Sequence, residues 1–90
     1  MNKEQRKKIT DLQDQLTSLN SKIEDIMSEI ETLKDEEQEK FDNLSEGLQQ
    51  SEKGQKLEQA VSSLDDAISQ IQEAYSSIEN VIGELETASE

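Results

Sequence analysis

The side chains that could do chemistry in this sequence are carboxylates, hydroxyls and amines. Cysteine and histidine do not occur, which excludes thiol nucleophiles, imidazole bases and the usual zinc and iron ligand sets. The densest carboxylate cluster is Asp35-Glu36-Glu37 with Glu39, and oxygen ligands are what calcium and magnesium prefer. Neighbouring carboxylates on one straight helix diverge, however, and no loop has EF-hand spacing. We therefore expect a solvated face there, with no metal site and no cofactor.

The single tyrosine, Tyr75, is the remaining candidate for acid–base chemistry. It occupies an apolar position in a helical repeat, where packing opposite Leu19 with the hydroxyl near the edge is the expected role. No other combination of residues suggests a nucleophile with its base. The sequence predicts no catalytic residues and therefore no enzyme.

Composition indicates long helices and not a compact globule. The 90 residues are 30% hydrophobic, with one Phe, no Trp and no Pro, which suits coiled coils better than a globular core. The basic residues near the N-terminus are not followed by an apolar run, so neither a signal peptide nor a membrane span is predicted. We expect a cytoplasmic protein.

The net charge is −13 and is unevenly distributed. Residues 1–8 carry four basic groups and one acid, whereas residues 57–90 carry eight acids and no base. Proteins that bind nucleic acids or anionic membranes have the opposite sign of charge. We expect no direct binding to nucleic acid or to membranes.

Apolar residues in the first half recur at alternating steps of three and four, the spacing of a coiled-coil heptad. Position a is occupied by Ile9, Leu16, Ile23 and Ile30, and position d by Leu12, Leu19, Ile26 and Leu33. Phe41 and Leu44 resume the pattern after an apparent four-residue slip, a stutter. The spacing predicts a helix over about residues 3–43 and a turn over about residues 44–51.

The second half repeats the pattern. Position a holds Val61, Ile68, Tyr75 and Ile82, and position d holds Leu57, Leu64, Ile71, Ile78 and Leu85. Ser51 is a suitable N-cap, and the predicted helix covers about residues 52–88.

The two patterns mirror each other and predict a single antiparallel coiled-coil hairpin over residues 1–90. Each a residue of one helix faces a d residue of the other, from Ile9 with Leu85 to Leu33 with Val61, and Gly47 lies at the centre. The hairpin also brings the basic N-terminus near Glu84, Glu86 and Glu90. A parallel dimer of one continuous helix is the alternative, but it would place the central glycines in mid-helix and align like charges.

Position g of the second helix is small and apolar throughout. It holds Ala60, Ala67, Ala74, Val81 and Ala88. This row widens the apolar face to the pattern of helix bundles. The all-α hairpin is therefore predicted to dimerise into a four-helix bundle through this row.

The central segment EEQEKFDNLSEGLQQSEKGQKLEQA also carries a family resemblance. It resembles the central signature of short helical-hairpin proteins of tailed bacteriophages and prophages, in which Phe41, Asn43-Leu44, Gly47-Leu48 and Ser51-Glu52 fall on recurrent positions. Relatives often have Pro where this chain has Ser45. The resemblance implies a phage-type origin and does not imply a mechanism.

Two functions remain open at this stage. The first is a non-enzymatic interaction or scaffold protein that presents the apolar turn residues Phe41, Leu44 and Leu48 to an unknown protein partner. The alternative is an acidic inhibitor that occupies a basic site on a host nucleic-acid-binding or defence protein by charge mimicry. The acids that would carry the second function are Glu58, Asp65, Asp66, Glu73 and Glu79.

Overall fold

The computed structural model describes all 90 residues and is entirely helical, as predicted. Helix α1 spans Lys3–Asp42, the short helix α2 spans Glu46–Gln49, and helix α3 spans Glu52–Ser89. The Cα atoms extend over 68 × 15 × 13 Å. The molecule is therefore a rod in which the two long helices lie side by side.

Both long helices begin at side-chain caps. Asn2 accepts a hydrogen bond from the amide of Gln5, and the Gln5 side chain accepts one from the amide of Asn2, which forms a capping box. Ser51 accepts a hydrogen bond from the amide of Gly54 at 3.4 Å, so the predicted N-cap is confirmed. These caps satisfy amides that the first helical turn leaves free.

The connection between the long helices depends on Gly54 more than on Gly47. Gly47 lies inside α2 without a positive φ, and a Cβ added there would meet nothing within 4 Å. Gly54 is buried, and a Cβ there would collide with the backbone carbonyls of Gln49 and Leu48. The central position predicted for Gly47 therefore requires no special backbone conformation, because the turn there is helical. The missing side chain is required where the chain passes over the start of α3.

Contacts between α1 and α3 show that the helices run in opposite directions. At one end the Arg6 guanidinium donates to the carbonyl of Ser89 at 3.0 Å. Further along, the Asn20 amide donates to the carbonyl of Tyr75 at 3.1 Å. Towards the turn, Lys34 pairs with Asp65. The antiparallel register is therefore maintained along the rod.

The face of α1 that meets α3 differs from the predicted one. Position a is inward as expected, and Ile9 is only 6% exposed. The second inward row is position e, which is buried or half-buried throughout: Gln13, Asn20, Met27, Lys34 and Phe41. The predicted row at position d, in contrast, remains 45–50% exposed: Leu12, Leu19, Ile26 and Leu33. The predicted pairing of this row with position a of α3, including Leu19 opposite Tyr75, is wrong.

The turn explains the rotation of α1. The inward residues next to the turn are Phe41 and Leu44, at positions e and a, whereas Lys40 at position d is exposed. The Gln49 side-chain amide donates to the carbonyl of Phe41 at 3.3 Å, which ties this part of α1 to α2. Because α1 is one unbroken helix, an orientation fixed at the turn extends along its length. Rows a and e also run through to Leu44 and Phe41 without a slip, so no stutter occurs.

Neither of the two long helices contains a stretch apolar enough to cross a membrane.

Candidate interaction surfaces

One edge of the helix pair is closed by polar side chains, and we call it the polar edge. Lys34 binds Asp65 at 2.8 Å, and the Gln13 amide donates to Glu86 at 3.1 Å. All four residues occupy position e of their helices. Their contacts identify which side of the rod each heptad position faces.

Tyr75 also reaches the polar edge. Its hydroxyl donates a 2.7 Å hydrogen bond to the carboxylate of Glu24. This bond, desolvation and the negative charges of Glu24 and Glu79 raise the pKa of the Tyr75 phenol above its ordinary value. The expected place for the hydroxyl, at the edge of the interface, is confirmed.

The Tyr75–Glu24 bond predicts a titration above the ordinary tyrosine range. Because the bond needs the protonated phenol, its contribution to stability is present below the unfolded-state pKa of about 10. It is lost as pH rises through the raised folded-state pKa. Tyr75 is the only tyrosine, so the alkaline rise in ultraviolet absorbance reports it alone. We expect Glu24→Gln to lower the measured pKa, whereas Glu29→Gln leaves it unchanged. A Tyr75 pKa unaffected by Glu24→Gln would contradict the bond.

The opposite edge is apolar, as the heptad positions require. In α1, positions d and e flank position a, so d lies on the side away from the polar edge. In α3, position e flanks a on one side and g flanks d on the other, so g also lies away from the polar edge. The exposed large row of α1 and the small row of α3 therefore lie on one side of the rod. We call them the leucine row (Leu12, Leu19, Ile26, Leu33) and the alanine row (Ala60, Ala67, Ala74, Val81, Ala88), and together the apolar face.

The alanine row is partly open to solvent. Ala60 and Ala67 are half-buried at the edge of the helix pair, whereas Ala74, Val81 and Ala88 are exposed. Val81 retains 46% of its exposure. The structure thus places these candidate interface residues beside the leucine row, which was not predicted to be exposed.

The apolar turn residues do not form one exposed patch. Phe41 and Leu44 are half-buried, while Leu48 is 51% exposed. Gln49 binds the Phe41 carbonyl from within the turn. Of the three candidate contact residues, Leu48 is therefore the one most accessible to a partner.

The five candidate acids of α3 share one side of the rod. Glu58, Asp65 and Glu79 occupy position e, and Asp66 and Glu73 occupy position f. All five are exposed, and Asp65 alone is engaged in an ion pair. They form an acidic strip along α3 on the side away from the apolar face.

The basic N-terminus meets the end of α3 through backbone atoms. The Arg6 guanidinium donates to the carbonyls of Ser89 and Glu90 at 3.0 and 3.5 Å. None of the three ion pairs involves Glu84, Glu86 or Glu90. The expected proximity is present, but Arg6 satisfies free carbonyls at the negative end of the helix.

The surface depressions are shallow and mostly polar. One, on the N-terminal part of α1, is lined by Glu4, Lys7, Lys8, Thr10, Asp11 and Asp14. No three or more carboxylates lie close enough together to hold a metal ion. The apolar face is therefore the most extensive exposed apolar surface of the rod.

Two residues that matter to this arrangement were not singled out from the sequence. Asn20 is only 5% exposed, and its side-chain oxygen Oδ1 has no hydrogen-bond partner. Gly54 lies in the first turn of α3, directly against the backbone of α2. The sequence contains a signal for both residues. Met27 and Phe41 are apolar at position e, which is also the position of Asn20. When that row is continued across the turn, Phe41 lies level with Gly54.

Comparison with protein-family models, curated protein sequences and solved structures found no match to this chain.

Proposed function

We propose that this protein is a non-enzymatic coiled-coil interaction or scaffold protein of phage or prophage origin that acts in the cytoplasm. Its working form is a homodimer in which two helical hairpins make a four-helix bundle. The observation that carries the proposal is the apolar face, where an exposed leucine row lies beside an alanine row. The phage origin rests on the resemblance of residues 36–60 to phage helical-hairpin proteins.

Burial supports self-association. Only Ile9 and Ile68 of the large apolar side chains are buried in the single chain, and neither is completely so. Small chains with so little core usually gain stability by oligomerising. Contiguous exposed apolar surface of this kind marks an interaction site.

Charges placed in the alanine row should therefore separate the copies. We expect Ala67→Glu combined with Ala74→Glu to give a monomer, because two carboxylates would be buried without partners against the second copy. Sedimentation equilibrium measures the mass. The leucine-row variant Leu19→Gln with Ile26→Gln should give the same result.

The matched control places the same charges elsewhere on α3. Ser69→Glu with Ser76→Glu has the same spacing and the same change in net charge, but both serines are exposed outside the apolar face. This variant should retain the dimer mass. An unchanged mass for the alanine-row and leucine-row variants, with helicity retained by circular dichroism, would contradict the proposed interface.

The alternative function is an acidic inhibitor of a host nucleic-acid-binding or defence protein. The acidic strip favours it, because Glu58, Asp66, Glu73 and Glu79 are exposed and unpaired on one side of α3. Their side of the rod also stays free when the apolar face is covered. Charge mimicry of this kind acts through electrostatic steering and complementarity.

Salt dependence separates the two functions once a partner has been captured from the natural host. Binding through the acidic strip should weaken steeply with salt, since exposed charges are screened beyond about 8 Å at physiological ionic strength. Asp65→Asn with Asp66→Asn should then abolish most of the binding. Binding through the turn should instead be lost in Leu48→Ala and change little with salt. Loss in the aspartate variant alone would replace the scaffold proposal with the inhibitor.

A further inference from the structure

The apolar face has a ridge and a groove that run side by side along the rod. The side-chain amides of Gln13 and Asn20 donate to the carbonyls of Ile82 and Tyr75. Because the helices are antiparallel, the residue before Gln13 lies level with the residue after Ile82. Leu12 and Val81 are therefore offset by about 3 Å along the axis, as are Leu19 and Ala74. Large side chains of α1 stand next to small side chains of α3, and the leucine row projects above the alanine row.

We propose that a second copy of this chain covers the apolar face about a twofold axis parallel to the helices. The leucine row of each copy then lies on the alanine row of the other, and both turns lie at the same end of the bundle. This arrangement deepens the proposed function and rests on its homodimer. Facing layers of large and small side chains interdigitate without voids.

The competing arrangement has its twofold axis perpendicular to the helices. It would set leucine row on leucine row and alanine row on alanine row. The four bulky side chains of each leucine row would hold the two α1 helices apart, whereas the small side chains of the alanine rows would let the two α3 helices approach closely. The two faces would then meet at an angle, and their side chains would pack less completely.

The parallel axis also determines which residues meet at the rim of the apolar face. Rotation about that axis leaves every residue at its own height, so the register within one chain also sets the register between copies. Position g of α1 then runs beside position c of the partner's α3. With Gln13 level with Ile82, residue 22 of one copy lies within about 5 Å along the axis of residue 70 of the other, at about 1.5 Å per residue.

The size of the face suits an occupant as long as the chain itself. The alanine row extends over about 42 Å at about 1.5 Å per residue, and the Cα atoms of the rod are 15 Å across. The flat area of the apolar face of each copy is thus roughly 600 Å², without the additional area of its uneven side chains. This is close to the roughly 800 Å² per partner of a specific interface. A second copy covers both rows along their full length.

Cross-linking through single introduced cysteines tests the direction of the axis, because the chain has no cysteine of its own. Lys22→Cys and Gln70→Cys are made separately, each is treated with a short bifunctional thiol reagent, and the two are then unfolded, mixed, refolded and treated again. With the parallel axis, residue 22 of one copy lies beside residue 70 of the other. We expect a cross-linked dimer only in the mixture, with one chain of each kind by mass spectrometry.

The outcomes distinguish this inference from the proposal on which it rests. Cross-linking of either variant alone, or no cross-linking in a mixture that sediments as a dimer, would overturn the parallel axis and leave the homodimer standing. A monomeric mass for the unmodified chain would overturn both. Circular dichroism of each cysteine variant confirms that the helices are retained.

Discussion

Gly54→Ala is expected to lower the free energy of unfolding by about 2 kcal/mol. An alanine Cβ at this position would collide with the backbone carbonyls of Gln49 and Leu48, which cannot rotate away as a side chain would. Overpacking of this kind costs about 1–3 kcal/mol and occasionally more, and the better helix propensity of alanine offsets up to about 1 kcal/mol. The melting temperature should fall by about 8–16 °C, at about 4–8 °C per kcal/mol for a chain of this size.

The other two glycines provide the controls. Gly83 lies inside α3 and Gly47 inside α2, and a Cβ at either would meet no atom within 4 Å. Gly83→Ala should therefore stabilise the protein by about 0.5–1 kcal/mol and Gly47→Ala by no more than that. All variants are compared at one protein concentration, because the melting temperature of a dimer depends on it. A Gly54→Ala variant as stable as Gly83→Ala would show that the chain does not pass so close to α3.

Local sequence signals predicted the helices well. These signals are the absence of proline, the heptad spacing and the capping hydroxyl of Ser51. Each depends only on residues that are close together in the sequence. The all-helical class and the Ser51 cap are confirmed by the structure. The sequence placed the long helices at about 3–43 and 52–88, and the structure has Lys3–Asp42 and Glu52–Ser89.

The rotation of α1 could not be read from heptad spacing alone. Positions d and e lie symmetrically about position a, and the hydrophobicity of Leu12 and Leu19 favours d over the amides Gln13 and Asn20 at e. The structure instead follows Phe41, which packs at the turn in row e. That choice depends on the contact of α1 with the turn, which the heptad spacing of α1 does not encode. It also turns the most apolar row of α1 outward, which is why the candidate interface is larger than the alanine row.

Asn20 is where this rotation has an energetic cost. Its amide nitrogen donates to the Tyr75 carbonyl, but its carbonyl oxygen is buried without a partner. An unsatisfied buried acceptor costs about 1–3 kcal/mol. Buried asparagines in coiled coils trade stability for a specified register. Here the amide contact fixes the height of α1 against α3, since it can form only where the side chain meets that carbonyl.

Asn20→Leu is therefore expected to stabilise the protein by about 1–2 kcal/mol, because it removes the unpaired acceptor and buries more apolar surface. Chemical denaturation at one protein concentration measures the change. Gln13→Leu is the matched control: it lies one heptad earlier in row e and also donates to a carbonyl of α3, but its side-chain oxygen is not a buried unpaired atom. We expect that control to change the free energy of unfolding by less than about 0.5 kcal/mol. If Asn20→Leu destabilised the protein, the buried side-chain oxygen of Asn20 would have to have a hydrogen-bond partner. Asn20 would then contribute to stability and not to the register of the helices.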